Sequence, residues 1–165
     1  MKSWQLFCAM TALLITLSES AFAAKCKGSE AAKNQRIAEA FLASNSKKPG
    51  VITTASGLQY QVLREGNGGD TPSRRSEIVA HYDLTNLDGK KLDSSRDRGV
   101  PYQTRADQVI EGWSEALQAM TVGERRLVYV PAELGYGCKG IRGIIGPNEL
   151  LVFDMELVHI VKPGD

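Results

Sequence analysis

Imidazole and thiol are scarce in this 165-residue sequence, which holds two histidines and three cysteines. No cysteines form a CxxC pair and no histidine stands close to one, so the spacing of a zinc site is missing and no metal is expected. An excess of one charge is missing too: 20 Lys and Arg face 19 Asp and Glu, a formal net charge of +1. Lys47 and Lys48, Arg74 and Arg75, and Arg125 and Arg126 are scattered pairs and read as solvated surface. They do not make the clustered cationic face that phosphate neutralisation needs, so nucleic acid is not an expected partner. There is no internal repeat and no low-complexity tract.

Signatures of covalent or cofactor chemistry are absent as well. Gly135, Gly137 and Gly140 match G-x-G-x-x-G letter for letter. A dinucleotide site needs a strand before that motif, a helix starting on it and an acid about twenty positions later. Ile141, Arg142, Gly143, Ile144, Ile145, Gly146 and Pro147 follow instead and cannot begin a helix. No nucleophile elbow or other local catalytic signature is present, and no cofactor is implied. His81 and His159 stand singly in strand patterns and read as exposed or satisfied side chains.

The one long apolar run lies at the start of the chain. Lys2, an apolar stretch over residues 4–17 and the Ala21, Phe22, Ala23 step form the pattern of a secretory signal peptide. It is too short for a membrane span, so residues 1–23 are expected to be removed on export, leaving no span in the mature chain. Cleavage removes Lys2 and Glu19, one charge of each sign, and the net charge stays at 19 − 18 = +1. It also removes Cys8. Cys26 and Cys138 remain, and in an oxidising compartment they can pair within the chain, pair between chains or stay free.

Residues 24–50 form a helical extension. The spacing predicts a helix over residues 29–46, capped by Ser29, with Ile37, Ala40, Phe41 and Ser44 on one narrow face. Lys47, Lys48, Pro49 and Gly50 end it. A stripe that thin does not hold an isolated helix, so it must dock. Residues 51–165 change to strands and turns. Residues 57–63 alternate; Ala80, Tyr82 and Leu84 share one face against Val79, His81 and Asp83; Asp88 and Gly89 make a hairpin turn. Residues 125–130 and 150–161 are further strands, the latter with Leu151, Phe153, Met155 and Leu157 facing one way. A second helix is predicted over residues 113–121, with Trp113, Ala116, Leu117 and Met120 on one face and Gly123 as its stop. One short helix cannot cover both faces of a sheet, so an α+β arrangement follows, with an antiparallel sheet curled around the helix.

Apolar and aromatic residues concentrate in the loops: Tyr102, Val109, Ile110, Trp113, Tyr136, Ile144 and Ile145, with Tyr82, Leu92 and Phe153 in or beside strands. That density, mixed with glycines and a few polar tips, fits a concave apolar site. The stretches HYDLTNLDGKKLDSSRDRGVPY (residues 81–102), QVIEGWSEALQAMTVGERR (108–126) and GYGCKGIRGIIGPNELLVFDMELVHI (135–160) resemble FK506-binding-protein-type (FKBP) peptidyl-prolyl cis-trans isomerases. The resemblance runs in order through residues 57–161. GLQYQVLREGNG and the preceding FLASNSKKPGVITTASG are similar to the exported bacterial branch that includes the macrophage infectivity potentiator type.

The resemblance implies a twisted sheet of five or six strands around the Trp113 helix, and an isomerase acting on X-Pro bonds of exported polypeptides, with the periplasm as its compartment. Trp113 would be the floor beneath the substrate proline. Tyr82, Leu92, Tyr102, Val109, Ile110 and Phe153 would be walls. Asp93, held by Arg98, would accept hydrogen bonds near the substrate carbonyl. The Tyr136 hydroxyl and the Ile110 N–H would orient the substrate backbone, and Ile144 and Ile145 would lie on a flap above it. Tyr82, Asp93 and Tyr136 are thus the catalytic candidates. Leu92 replaces a usual aromatic and thins one wall against macrolide inhibitors of the FK506 type, the other implied ligands. Cys138 falls at the flap base, where a disulfide to Cys26 would tie the N-terminal helix to the site. The extension is short, which favours a monomer. The rival function is a proline-binding chaperone or binding module that holds unfolded chains with little turnover.

Overall fold

The structure is a computed structural model that describes residues 26–162. The signal-peptide reading of residues 1–23 lies outside the described residues. Helix α1 spans Ser29–Asn45; strands β1 (Val51–Thr53), β2 (Gln59–Arg64), β3 (Glu77–Thr85), β4 (Lys91–Ser94) and β5 (Tyr102–Arg105) follow. Then come helix α2 (Glu111–Gln118), β6 (Arg125–Val130), a 3₁₀ turn over Ala132–Leu134 and β7 (Leu151–Val161).

The strands make one antiparallel sheet in the order β1-β2-β6-β7-β3-β4, with β5 also paired to β3. Strand β3 is long enough to serve two partners on one edge. Glu77, Ile78, Val79 and Ala80 face β5, and Asp83, Leu84 and Thr85 face β4. That sharing, together with the three-residue β1 folded back on β2, brings the sheet to seven strands, beyond the five or six that the resemblance implies. Alternation is regular through β3, and Leu151, Phe153, Met155 and Leu157 of β7 are all buried. These inward rows close over Trp113, Ala116, Leu117 and Met120. The helix therefore lies in the concave face of the sheet.

Two helix boundaries differ from the sequence pattern. Helix α2 starts at Glu111, not Trp113, with Ile110 in the N-cap position. The Ile110 carbonyl accepts the N–H groups of Trp113 and Ser114 at 3.0 and 3.1 Å, a start that needs no capping side chain and so leaves no sequence signal. The helix ends at Gln118. Gly123 is not its stop but turns the chain into β6, at φ +88° and with its N–H on the Leu157 carbonyl at 2.8 Å.

In α1 the N-cap is Gly28, and Ser29 does not cap. Ile37 is 45% exposed, and Ala40 and Ser44 also face outward; the docked face instead includes Ala31, Asn34, Phe41, Leu42 and Asn45. Polar contacts select this face. Asn34 Nδ2 donates to the Pro147 carbonyl at 2.9 Å, Asn45 Nδ2 to Gln59 Oε1 at 3.0 Å, and Gln59 Nε2 to the Leu42 carbonyl at 2.9 Å. A search for an apolar stripe misses such a face. A disulfide between Cys26 and Cys138, with Cα atoms 5.2 Å apart, fixes the chain just before the helix.

Below α2 a buried ion pair closes the turn into β6. Glu124 and Arg126 are hydrogen-bonded to each other with side chains only 6% exposed, so Arg126 is not the solvated surface residue that its pairing with Arg125 suggests. Glu124 also accepts the Thr121 N–H, and Arg126 donates to the Ala119 carbonyl and lies 4.3 Å from the Tyr60 ring centroid. Breaking such a pair strands a buried charge, whereas replacing both partners by apolar residues does not. Glu124→Ala should therefore cost about 3–5 kcal/mol in urea unfolding, and Glu124→Leu with Arg126→Met should recover most of that loss. Equal losses in the single and double variants would show that the charge pairing is not what matters here.

Candidate functional site

A cleft of about 410 Å³ opens where the N-terminal turn of α2 meets the concave sheet. Trp113 forms its floor, 3% exposed and fixed by the first turn of the helix. Around it stand Tyr82 and Leu84 from β3, Phe153 from β7 and Tyr102 from the start of β5. The β3 and β7 residues lie on the inward side of their strands because the side-chain period of a strand is two. Ring centroids lie 5.1 Å apart for Tyr82 and Trp113, 5.4 Å for Trp113 and Phe153, and 6.2 Å for Tyr102 and Trp113, all edge to face. That geometry is the favourable one for aromatic quadrupoles and leaves each ring little freedom. Gln108, Val109 and Ile110 line the mouth on the loop entering α2, and Tyr136 lines it from the loop after β6.

The polar side of the cleft is a three-residue network. The Tyr82 hydroxyl donates to Asp93 Oδ2 at 2.5 Å and accepts from an Arg98 N–H at 2.9 Å. Arg98 also pairs with Asp93 Oδ1, and the Ser94 N–H donates to the same oxygen at 2.8 Å. The guanidinium carbon sits 5.6 Å from the Tyr82 ring centroid. Burial pushes the Asp93 carboxyl up, but hydrogen bonds from Tyr82, Arg98 and Ser94 and the Arg98 charge outweigh it and hold the carboxyl below its ordinary value. Burial, reinforced by the bond to Asp93, raises the Tyr82 hydroxyl. Burial first, then Tyr102 and Asp93, raises that of Tyr136. Both phenols are therefore protonated at neutral pH, and Asp93 is an anion.

Other polar groups are uncommitted. Among the described residues, neither the Tyr136 hydroxyl nor the Ile110 N–H has a hydrogen-bond partner, and the Trp113 Nε1 is buried without one. The cleft thus offers a ring-walled apolar space with an anchored carboxylate and uncommitted donors. It has room for a compact apolar ring next to a carbonyl, and holds no nucleophile–base pair.

Tyr82, Asp93, Tyr102, Val109, Ile110, Trp113, Tyr136 and Phe153 from the sequence reading all line this cleft. Arg98 stands behind it, touching Tyr82 and Asp93. Leu92, Ile144 and Ile145 line a neighbouring groove instead, although Ile145 belongs to the same apolar cluster as Trp113 and Leu92 packs against it. For Leu92 the cause is local: Leu84 is paired with Asp93 and Thr85 with Lys91, so Leu92 is the extra residue of a β-bulge, and Asp93 takes the position facing Tyr82. Ile144 is 51% exposed and Ile145 is 5% exposed, in a loop closed by mutual backbone bonds between Ile141 and Ile145, each 2.8 Å. Leu84 and Gln108 line the cleft and were not among the expected residues. The alternation of β3 carries a signal for Leu84; nothing local marks Gln108.

Comparison with known proteins agrees with this geometry. A sequence profile described as FKBP-type peptidyl-prolyl cis-trans isomerase matches residues 68–158, and one described as a domain amino terminal to that isomerase matches residues 6–62. The chain is 46% identical over 135 residues to the FKBP-type peptidyl-prolyl cis-trans isomerase FkpA of Aeromonas hydrophila, covering 82% of this chain and 50% of that one. It is 40% identical over 133 residues to the outer membrane protein MIP of Legionella longbeachae, covering 81% and 57%. The crystal structure of FkpA from Escherichia coli superposes with a TM-score of 0.76 at 39% identity, covering 82% of this chain and 62% of that one. The chain thus spans about half the length of the curated relatives it matches.

The Asp93 network has a pH signature. A carboxyl whose folded pKa is depressed stabilises the fold above its unfolded pKa, and that contribution is lost as pH falls through the folded value. Asp93→Asn should melt below the parent at pH 7. The gap should close on acidification below about pH 4, where an ordinary Asp begins to protonate. Thermal melts of both proteins across that range would check it; a gap independent of pH would contradict the network.

Proposed function

The chain belongs to the FKBP-type peptidyl-prolyl cis-trans isomerase family, and on that premise we propose that it accelerates rotation about X-Pro bonds in exported polypeptides. The observation that carries this reading is Trp113, a buried floor ringed by Tyr82, Tyr102 and Phe153 in an open cleft that holds no nucleophile–base pair. Isomerisation makes and breaks no bond. Its barrier, about 18–20 kcal/mol, is the resonance lost when the amide twists.

The planar amide is charge-separated and the twisted one less so. A dehydrated apolar cleft therefore favours the twisted form relative to the planar one. In the proposed arrangement the proline ring rests on Trp113 between Tyr82, Tyr102, Val109, Ile110 and Phe153. The Tyr136 hydroxyl and the Ile110 N–H hold the substrate backbone, and Asp93, fixed by Arg98 and Tyr82, faces the carbonyl of the twisting bond. Donors that bind the twisted form better than the planar one lower the barrier, while those that bind both equally do not. Lowering it by about 6 kcal/mol gives roughly four decades in rate. Asp93 positions and polarises; no proton moves. Leu92, Ile144 and Ile145 contribute at the rim, in contact with residues beyond the proline.

The working unit is residues 51–165, with 24–50 as an extension and 1–23 as an export signal. The periplasm fits three observations: the pattern of residues 1–23, the disulfide, which persists in oxidising compartments, and a relative named as an outer membrane protein.

Cis-to-trans relaxation of an X-Pro peptide takes tens to hundreds of seconds unaided, so catalysis is easy to see. The parent protein should accelerate it. Asp93→Ala should reduce kcat/KM by about tenfold, the worth of one hydrogen bond to a charged group, and leave measurable turnover. Tyr82→Ala, which removes a wall as well as a partner of Asp93, should lose more. No acceleration by the folded parent would overturn the isomerase reading and leave a proline-binding module.

A further inference from the structure

Beside the cleft lies a second groove of about 470 Å³, bounded by the start of α1, the turn from β3 to β4, and the loop before β7. Its walls carry three exposed cations, Lys90, Lys139 and Arg142. Among the described residues none of the three has a carboxylate partner. Two acids, Glu30 and Glu149, also line it. Glu149 is already engaged, its Oε2 accepting the Gly146 N–H at 2.6 Å. The groove therefore has a formal charge of 3 − 2 = +1 and an uncommitted cationic rim.

No residue lines both the groove and the cleft, but the same strand and the same loop supply walls to each. Leu92 lines the one and Asp93, the next residue, lines the other, because of the bulge in β4. The loop that presents Tyr136 to the cleft runs on to present Lys139 and Arg142 to the groove. A polypeptide with its proline on Trp113 has to leave the cleft along one of these walls. The groove is also built in advance: the Cys26–Cys138 disulfide and the Asn34 bond to the Pro147 carbonyl hold α1 against the loop.

We propose that this groove is an extended substrate subsite that selects polypeptides carrying an Asp or Glu a few residues from the isomerised proline, through Lys139 and Arg142 with Lys90 at the edge. The proposal rests on the isomerase reading and adds the substrate class to it.

Paired X-Pro peptides that place Glu or Gln at increasing distance on either side of the proline test it. For the parent protein, one register should favour Glu over Gln by about threefold to tenfold in kcat/KM, the range expected for one or two partly exposed ion pairs. The preference should shrink as salt is added. The double variant Lys139→Glu, Arg142→Glu should reverse it while turning over the Gln peptides like the parent. Equal rates for Glu and Gln at every register in the parent, or a preference for Glu that survives the double variant, would overturn the subsite. Turnover of the Gln peptides reads the isomerase activity separately. If no peptide is turned over, the same pairs titrated against the fluorescence of Trp113 read the preference as a ratio of dissociation constants, with the same two outcomes.

Discussion

The closeness of α2 to the sheet is the constraint on which the site depends, and Gly112 permits it. A Cβ at that position would lie 2.6 and 3.2 Å from the two Val130 methyl groups and 3.3 Å from the Leu134 carbonyl oxygen. Any side chain would lift the first helical turn off β6 and the 3₁₀ turn. A glycine inside a helix costs up to about 1 kcal/mol. Burying Trp113 returns about 4–6 kcal/mol, taking 150–250 Å² for a large aromatic at 25 cal/mol per Å². The larger quantity decides the arrangement. With the first turn seated, Trp113 has one position, and Tyr82, Tyr102 and Phe153 find it edge-on. The cleft floor is thus part of the core, which is why a site made of apolar side chains is rigid.

The polar elements are fixed from both faces of the sheet. On the convex side Arg96 pairs with Asp83 at 2.9 Å and reaches Glu156 at 3.5 Å, while Arg125 grips Asp154 through two bonds of 2.7 Å. On the concave side Arg98, two residues along, holds Asp93 and Tyr82. Just before the two arginines the turn is locked to β3: the fully buried Ser95 accepts the Tyr82 N–H on its hydroxyl at 2.8 Å and donates its own N–H to the Tyr82 carbonyl at 3.0 Å. With side chains 48% and 43% exposed, the Arg98–Asp93 pair contributes little stability alone. Its weight is geometric, since it aims the carboxylate that Tyr82 also holds.

Periodicity makes most of this architecture legible in the sequence. The inward rows of β3 and β7 and the buried face of α2 stand at the spacings their patterns predict, because apolar burial is what such patterns record. The resemblance adds the cleft, and eight of the residues it names line one cavity. What stays hidden depends on groups that carry no periodic signal. The start of α2 is a backbone carbonyl at Ile110, and the docked face of α1 is chosen by the amides of Asn34 and Asn45. Leu92 leaves the wall because one extra residue in β4 rotates the pairing. Gln108 enters the cleft from an irregular loop. A bulge and a backbone cap are decided by pairing across the sheet, which a window along the chain cannot see.

Helix α1 carries the last step of the argument. Its apolar face is thin, and a 17-residue helix of that kind is marginal in water. Three amide hydrogen bonds, the Phe41–Tyr129 ring contact at 5.2 Å and the Cys26–Cys138 disulfide hold it instead. The disulfide spans 112 positions, and closing a loop of that size removes chain entropy worth about 4–5 kcal/mol from the unfolded state in the simplest treatment. The stabilisation is global, but the geometric effect is local. Cys138 is two residues from Tyr136, so the bridge fixes the stem of the loop that presents an uncommitted phenol to the cleft. The same loop forms a wall of the cationic groove, and α1 forms the wall opposite. The N-terminal extension is therefore no appendage to a finished site: it braces the part of the rim that the sheet does not reach.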